Sequence, residues 1–432
     1  MLKAGSKDAV SLPLSSVQKD IWLGQIRNLN KPLYNIGMGI LIDANIDIRA
    51  LEIAINKVVK KNDALRLVLN DAGSLATQSV LPATQFSLNC VDYSRQCAEG
   101  DDAAVRYVRE AFHRPFELYG NLLWDIQLVR AGPARFYLLF CFHHIMTDGF
   151  GVILIINDVI SEYRRLCEGH DLPVSAENSY LDFVQDDQHY LESRHYQQDI
   201  KFWKDRFSVI SPSLFPLNKS PSSQRDSDPG QVVWLIERAL FTAMQDFSAV
   251  RGCSVFHFML TLLFIYFARL TDQSDIVIGL PVHNRNTAKY RKTAGVFVST
   301  IPLRFRVNLS ETFESCMTRV AAELRSCYRH ARISHTHINR EVGLYRHGRE
   351  QLFDVSFSLE EFPLEAFSDE KTTRLIPVRN LFSELPLSLV VHDYEHSKEV
   401  AFEFNFNADF FDRREVEGMR SSMAVLANAV IN

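Results

Sequence analysis

The segment His143-His144-Ile145-Met146-Thr147-Asp148-Gly149 gathers two imidazoles, a carboxylate and a glycine within seven positions. A neutral imidazole takes a proton from an attacking nucleophile or holds that nucleophile in place. A carboxylate among apolar residues is costly to bury as an anion, so Asp148 calls for an arginine or several amide donors. Gly149 can adopt backbone conformations closed to other residues and lets a ligand approach its N–H closely. The segment can therefore supply a base, an anchored carboxylate and a backbone donor. The plainer alternative is that the histidines are satisfied core residues and that Thr147 or Asp148 only caps the next helix. Two adjacent histidines followed at this spacing by Asp-Gly favour chemistry.

These residues need elements to position them. The run RFYLLFCFHH, from Arg135 to His144, is apolar on both alternating faces and predicts a strand covered on both sides. Successive strand side chains point to opposite faces, so His143 and His144 cannot both face one cavity while the strand stays regular: one works and the other is structural. After a turn at Thr147–Gly149, Gly151–Cys167 carries Val152, Ile156, Val159, Ile160 and Tyr163 at helical spacing and ends near Gly169, with Pro173 beyond. The local unit is strand, tight loop, helix. Upstream, Arg49–Lys61 reads as an amphipathic helix with Asp47 as N-cap. Downstream, Tyr180–Phe207 and Thr242–Leu270 read as helices, Asp275–Leu280 and Val296–Val307 as strands, and Ser211–Gly230 as a surface linker rich in serine and proline. No short internal repeat is visible.

Composition bounds the function. At 432 residues with 47% hydrophobic content the chain is long enough for two lobes, because single cores stop growing at roughly 250–300 residues. A net charge of −5 with interspersed signs leaves no basic stripe for a nucleic acid. Cys90, Cys97, Cys141, Cys167, Cys253, Cys316 and Cys327 form no Cys-x-x-Cys pair and suit a reducing cytoplasm. The start has no apolar run, so no signal peptide is visible. The most hydrophobic window, Val255–Phe267, is shorter than a membrane crossing and contains His257, which predicts a buried helix and no membrane span.

A series of segments in order then carries a family resemblance: LSSVQKDIW (Leu14–Trp22), NDALR (Asn62–Arg66), HHIMTDG, YLDFVQ (Tyr180–Gln185) with Phe202-Trp203, IGLPVHNR (Ile278–Arg285) and GVFVSTIPLR (Gly295–Arg304). The chain resembles the condensation domains of nonribosomal peptide synthetases over nearly its whole length, with Asn62 standing where the family usually has histidine. The HxxxDG core alone is shared with chloramphenicol acetyltransferase and plant acyltransferases and speaks only for thioester-dependent acyl transfer. The ordered series makes the resemblance specific.

The resemblance implies an α/β pseudodimer of two chloramphenicol-acetyltransferase-like lobes, residues 1–177 and 178–432, in a V shape with an active-site tunnel between them. It implies His144 as the functional histidine and the Gly149 N–H as an oxyanion donor, with His143 structural and Asp148 paired to Arg285. Trp203 and Ser299 are tunnel candidates, and Trp203, Tyr180 and Arg66 also read as packing and internal hydrogen-bonding residues. No metal and no covalently bound cofactor is implied; substrates arrive on CoA or phosphopantetheine. Heterocyclisation domains carry aspartates where His143 and His144 stand, and epimerisation domains continue Asp-Gly differently from DGFGV, so both relatives are set aside.

Within the family, the DGFG and VHNR segments and Ser299, where elongating domains usually have asparagine, resemble the starter subgroup that initiates lipopeptides. Met1 within about a dozen residues of the first motif suits the start of an assembly line, and 30 phenylalanines suit an apolar acyl channel, although ordinary core packing explains them as well. The implied reaction is attack of the α-amine of an aminoacyl carrier protein on a fatty acyl thioester. The implied partners are an acyl-CoA or acyl-carrier protein donor, a downstream peptidyl-carrier protein and an adenylation domain. An elongating domain with an aminoacyl or peptidyl donor is the alternative, and a non-catalytic recruitment platform is a second.

Overall fold

The computed structural model describes residues 11–73, 75–94, 100–170, 173, 178–215, 230–361, 372–376, 378, 385–393 and 399–432. They form a mixed α/β fold. Compactness divides the chain into one unit of Met1–Glu192, Arg285–Phe297 and Pro363–Asn380, and another of Ser193–Asn284, Val298–Phe362 and Leu381–Asn432. This division is interleaved and differs from a single boundary after residue 177. The helix Tyr180–Leu191 belongs to the first unit because Asp63 accepts hydrogen bonds from the Ser179 hydroxyl and, at 2.9 Å, from the Tyr180 N–H. The Tyr180 hydroxyl also donates to the Val296 carbonyl at 2.9 Å.

In the first unit, among the described residues, the strand Arg135–His143 is the centre of a five-stranded sheet. The order is Thr373–Ile376, Asn35–Ile42, Arg135–His143, Trp124–Gly132, Asn89–Asp92. The alternation read from its sequence is real. Phe136, Leu138, Phe140 and Phe142 pack with the helices Ile48–Lys61 and Gly149–Cys167 on one face. Tyr137, Leu139 and Cys141 pack with the helix Gly100–Phe112 on the other. Both faces are covered, which is why the run is apolar throughout. The helix Ile48–Lys61 starts at the expected cap, with the Asp47 carboxylate accepting from the Ala50 N–H at 3.0 Å.

The second unit is built, among the described residues, on a six-stranded sheet ordered Ser299–Arg306, Asp275–Val282, Val355–Glu360, Leu387–His392, Val400–Phe406, Gly230–Ile236. Its core takes the helix Val255–Thr271 and many of the phenylalanines, among them the fully buried Phe241, Phe258, Phe264, Phe267 and Phe357. Core packing thus accounts for these aromatics, and they carry no argument about a substrate.

Several expected elements are subdivided or shifted. Tyr180–Phe207 is two helices, Tyr180–Leu191 and Arg194–Arg206, because Ser193 breaks the run and caps the second by accepting from the Tyr196 N–H at 3.2 Å. Thr242–Leu270 is likewise Arg238–Ala249 and Val255–Thr271. The strand expected over Val296–Val307 begins only at Ser299, since Val296 and Phe297 spend their backbone groups in the first unit. Most of the expected linker, residues 216–229, lies outside the described residues, as does Cys97. Its first residues are anchored: the Ser213 hydroxyl and the Leu214 N–H both donate to Asp354, at 2.9 and 2.6 Å.

Candidate active site

The central strand ends at His143, and the chain turns through Thr147 before the helix beginning at Gly149. His143 is 2% exposed, between the rings of Tyr34 and Phe116 at centroid distances of 6.1 and 6.2 Å. Its Nε2 lies 3.2 Å from the Gln25 side-chain oxygen, and its Nδ1 accepts the Ile145 N–H at 3.2 Å. Burial, with a smaller contribution from neighbouring His144, pushes its pKa down to about 3, so the ring is neutral. His144 is half-buried, and its backbone N–H donates to the Tyr34 carbonyl at 2.7 Å. The two residues differ in burial: His143 closes the strand sealed in the core, whereas His144, one residue past its end in the turn, is only partly covered.

Asp148 performs both tasks considered for it. As N-cap, its Oδ1 accepts the Gly151 N–H at 2.8 Å. The same oxygen accepts from Arg285 Nη2 at 2.7 Å, and Oδ2 accepts the Phe297 N–H at 2.9 Å. Burial by itself would raise this carboxyl, but the Arg285 guanidinium and the two backbone donors override it and hold the group below the usual carboxylate range. Arg285 is spent on the same neighbourhood. Nη1 donates to the Tyr290 and Thr293 carbonyls at 2.6 Å each, Nη2 reaches the Gly295 carbonyl at 3.1 Å, and the guanidinium lies 4.0 Å from the centroid of the Phe297 ring. The segment Arg285–Phe297 is thus fastened to the turn that follows His144.

Gly149 does not need its conformational freedom, since its φ is ordinary and an added Cβ would meet nothing within 4 Å. Its N–H lies in the first helical turn, where the helix itself supplies no acceptors. Space beside an unclaimed class of donor suits close approach by an oxyanion. The glycine that packing does require is Gly151, where a Cβ would stand 2.2 Å from Thr147 Oγ1 and 3.1 Å from the Gly295 carbonyl oxygen. Gly295, at φ 152°, faces the Tyr180 ring at 2.1 Å in the same way.

The first unit therefore brings together His143, His144, Asp148, Gly149 and Arg285. Trp203 departs from the tunnel expectation: it is 0% exposed in the core of the second unit, its Nε1 donating to the His330 carbonyl at 2.9 Å, so it offers no face to a ligand. Ser299, 4% exposed, accepts from Asn284 Nδ2 at 2.8 Å and donates to the Ala331 carbonyl at 3.2 Å, so its hydroxyl is spent on internal bonds. Arg66 donates to the Leu81 carbonyl at 2.8 Å, in keeping with an internal role. Sequence reasoning missed Gln25, Gly151, Gly295 and the Phe297 N–H. Only the glycines had a visible signal, standing in DGFG and AGV. Among the described residues no helix is long and apolar enough to cross a membrane, and no group of three or more His, Cys, Asp or Glu is placed to hold a metal ion.

The chain is 26% identical over 411 residues to tyrocidine synthase 3 of Brevibacillus parabrevis, covering 94% of this chain and 6% of that protein. It is 24% identical to surfactin synthase subunit 1 of Bacillus subtilis (strain 168), covering 97% of this chain and 12% of that one. The chain thus spans a small part of these relatives. Among solved structures, a variant of the starter condensation domain of rhizomide synthetase RzmA, in complex with C8-CoA, matches with a TM-score of 0.83 at 25% identity, covering 98% of this chain and 95% of that one. The first condensation domain of the calcium-dependent antibiotic synthetase matches at 0.82 and 19% identity, covering 98% and 97%, a likeness of fold alone. Residues 9–432 match the family model for the condensation domain, and with the HHxxxDG turn assembled as described, the chain belongs to the condensation domains of nonribosomal peptide synthetases, which are amide-forming acyltransferases.

Proposed function

We propose that this domain joins a fatty acyl thioester, carried on CoA or a carrier protein, to the α-amine of an aminoacyl carrier protein, an N-acylation that begins a lipopeptide. The observation that carries the donor class is the 25% identity, over 98% of the chain, to a starter condensation domain whose structure holds C8-CoA. On this reading the domain's partners are the acyl donor, the downstream aminoacyl carrier protein and its adenylation domain.

The amine nitrogen attacks the thioester carbon, the C–S bond breaks, and the proton lost by the amine ends on the departing thiolate. His144 positions the amine and carries that proton, the work of a general base then acid. The Gly149 N–H donates to the developing oxyanion, where one such donor is worth about 3 kcal/mol. His143, Asp148 and Arg285 touch no substrate; they hold the turn on which His144 and Gly149 stand.

A competition tests the donor. A medium-chain acyl-CoA and an aminoacyl-phosphopantetheine are supplied at equal concentration with one aminoacyl carrier protein, and products are read by intact mass spectrometry. Faster acylation from the acyl-CoA is expected. Faster product from the aminoacyl donor would replace the starter reading with elongation, and no amide from either would favour a recruitment platform.

A further inference from the structure

We infer that Gln25 is a positioning residue for His144, because one buried amide fixes both the tautomer of His143 and the backbone on either side of the working imidazole. The inference rests on the reading of His144 as that imidazole.

Gln25 lies near the end of the helix Ser16–Ile26 and is 4% exposed. Its Nε2 donates to the Asn28 carbonyl at 2.7 Å and to the Lys31 carbonyl at 3.1 Å. Both amide hydrogens are thereby used. What Gln25 turns toward His143 is its oxygen, at 3.2 Å from Nε2, and an oxygen with no hydrogen can only accept. His143 must carry its proton on Nε2. At the other side of the ring, Nδ1 accepts the Ile145 N–H at 3.2 Å, which requires that nitrogen to be bare. The two contacts demand the same tautomer, and a neutral ring in it has both nitrogens committed. His143 therefore has no lone pair or proton to offer a substrate.

The consequence falls on His144. Its own N–H is held by the Tyr34 carbonyl at 2.7 Å. The N–H of the next residue, Ile145, is held by His143. Tyr34 follows the turn whose Asn28 and Lys31 carbonyls Gln25 secures, and His143 is oriented by the Gln25 oxygen. Both restraints on the backbone of His144 thus trace to one side chain. Displacements of an ångström in reacting groups cost about a hundredfold in rate, so a lost restraint here should appear in turnover before it appears in binding.

The test uses the whole domain labelled with 15N-histidine, with the His143 resonances assigned by their loss in His143→Gln. In the wild-type protein, 1H–15N correlation through the ring is expected to report His143 as the Nε2–H tautomer. An Nδ1–H ring there would overturn the inference with no substitution made. Gln25→Leu is expected to abolish the single tautomer and to lower kcat for amide formation by about tenfold to a hundredfold, while KM for donor and acceptor is unchanged. Unchanged kcat, or a fall in kcat matched by a rise in KM, would contradict it. His144→Ala separates the two levels: full activity in that variant would defeat the reading of His144, whereas the tautomer result stands or falls independently.

Discussion

Asp148 and Arg285 lie 137 positions apart in the chain, and their side chains meet at 2.7 Å with 2% and 3% of their surfaces exposed. Desolvating two charges costs several kcal/mol per ion, and the pair survives because both oxygens of the carboxylate also accept from backbone donors. The contact joins the segment after residue 284 to the turn that carries His144 and Gly149.

Removing one partner leaves the other charge buried without compensation, so Asp148→Ala and Arg285→Ala should each destabilise the domain by about 3–5 kcal/mol. Chemical denaturation of both single variants and of the double variant checks the contact. A double variant about as stable as either single is expected, and fully additive losses would refute the coupling.

The same carboxylate sets an acid limit. Its folded pKa lies below the unfolded value, so its stabilisation is complete above the unfolded range near 3.8 and is lost as pH falls through the folded value. Thermal melts below pH 4 should show a steeper loss of Tm in the wild type than in Asp148→Asn, whose amide does not titrate.

His143 and His144 should separate in their effects. His143→Ala leaves the Gln25 oxygen and the Ile145 N–H without partners, and one such buried group costs about 1–3 kcal/mol. His144→Ala should keep the wild-type Tm and lose acyl transfer. Equal Tm in both variants with equal loss of activity would contradict this division.

The two nearby glycines give a further contrast. Gly149→Ala has room for its methyl and should fold normally, with any defect in turnover alone. Gly151→Ala would place a methyl carbon 2.2 Å from Thr147 Oγ1 and 3.1 Å from the Gly295 carbonyl, and should lower Tm because the turn must shift. The pair is read by calorimetry beside an amide-formation assay.

In the second unit, His392 stands 3.4 Å from both Glu360 and Glu403, carboxylates on the two neighbouring strands. Burial would lower its pKa, but the two carboxylates raise it to about 9. The folded value exceeds the unfolded one near 6.5, so this stabilisation is fully present below pH 6.5 and is lost as pH rises through about 9. Between pH 7 and 10 the wild type should lose more Tm than His392→Gln; parallel losses would exclude the histidine as the cause.

Much of the site was legible because physical rules left few choices. Asp148 had to be paired, and Arg285 was the partner the family resemblance implies; the alternation argument does not reach His144, because the strand ends at His143 and His144 stands in the turn beyond it. What could not be read was carried by groups without sequence identity: the Phe297 N–H and the Gly295 carbonyl serve Asp148 and Arg285 through the backbone. Gln25 reads as an ordinary polar residue, since its role depends on a turn folded back against it. The fold was misread where one side chain overrules periodicity. Ser193 splits a run that looks continuous, and Val296–Phe297, apolar enough for a strand, leave the second sheet because their backbone groups bind Tyr180 and Asp148.

His144 is the side chain on which the proposed chemistry turns, and a single-turnover measurement of amide formation addresses it. The domain is mixed with acyl-CoA and an aminoacyl carrier protein, quenched at intervals, and the mass of the acylated carrier protein is followed for the wild type and for His144→Ala. Acylation by the wild type and a rate lower by about 10²–10⁴-fold in a variant of unchanged Tm is the expected result, the span that a positioned acid–base group supplies. Equal rates in the two proteins would contradict the account.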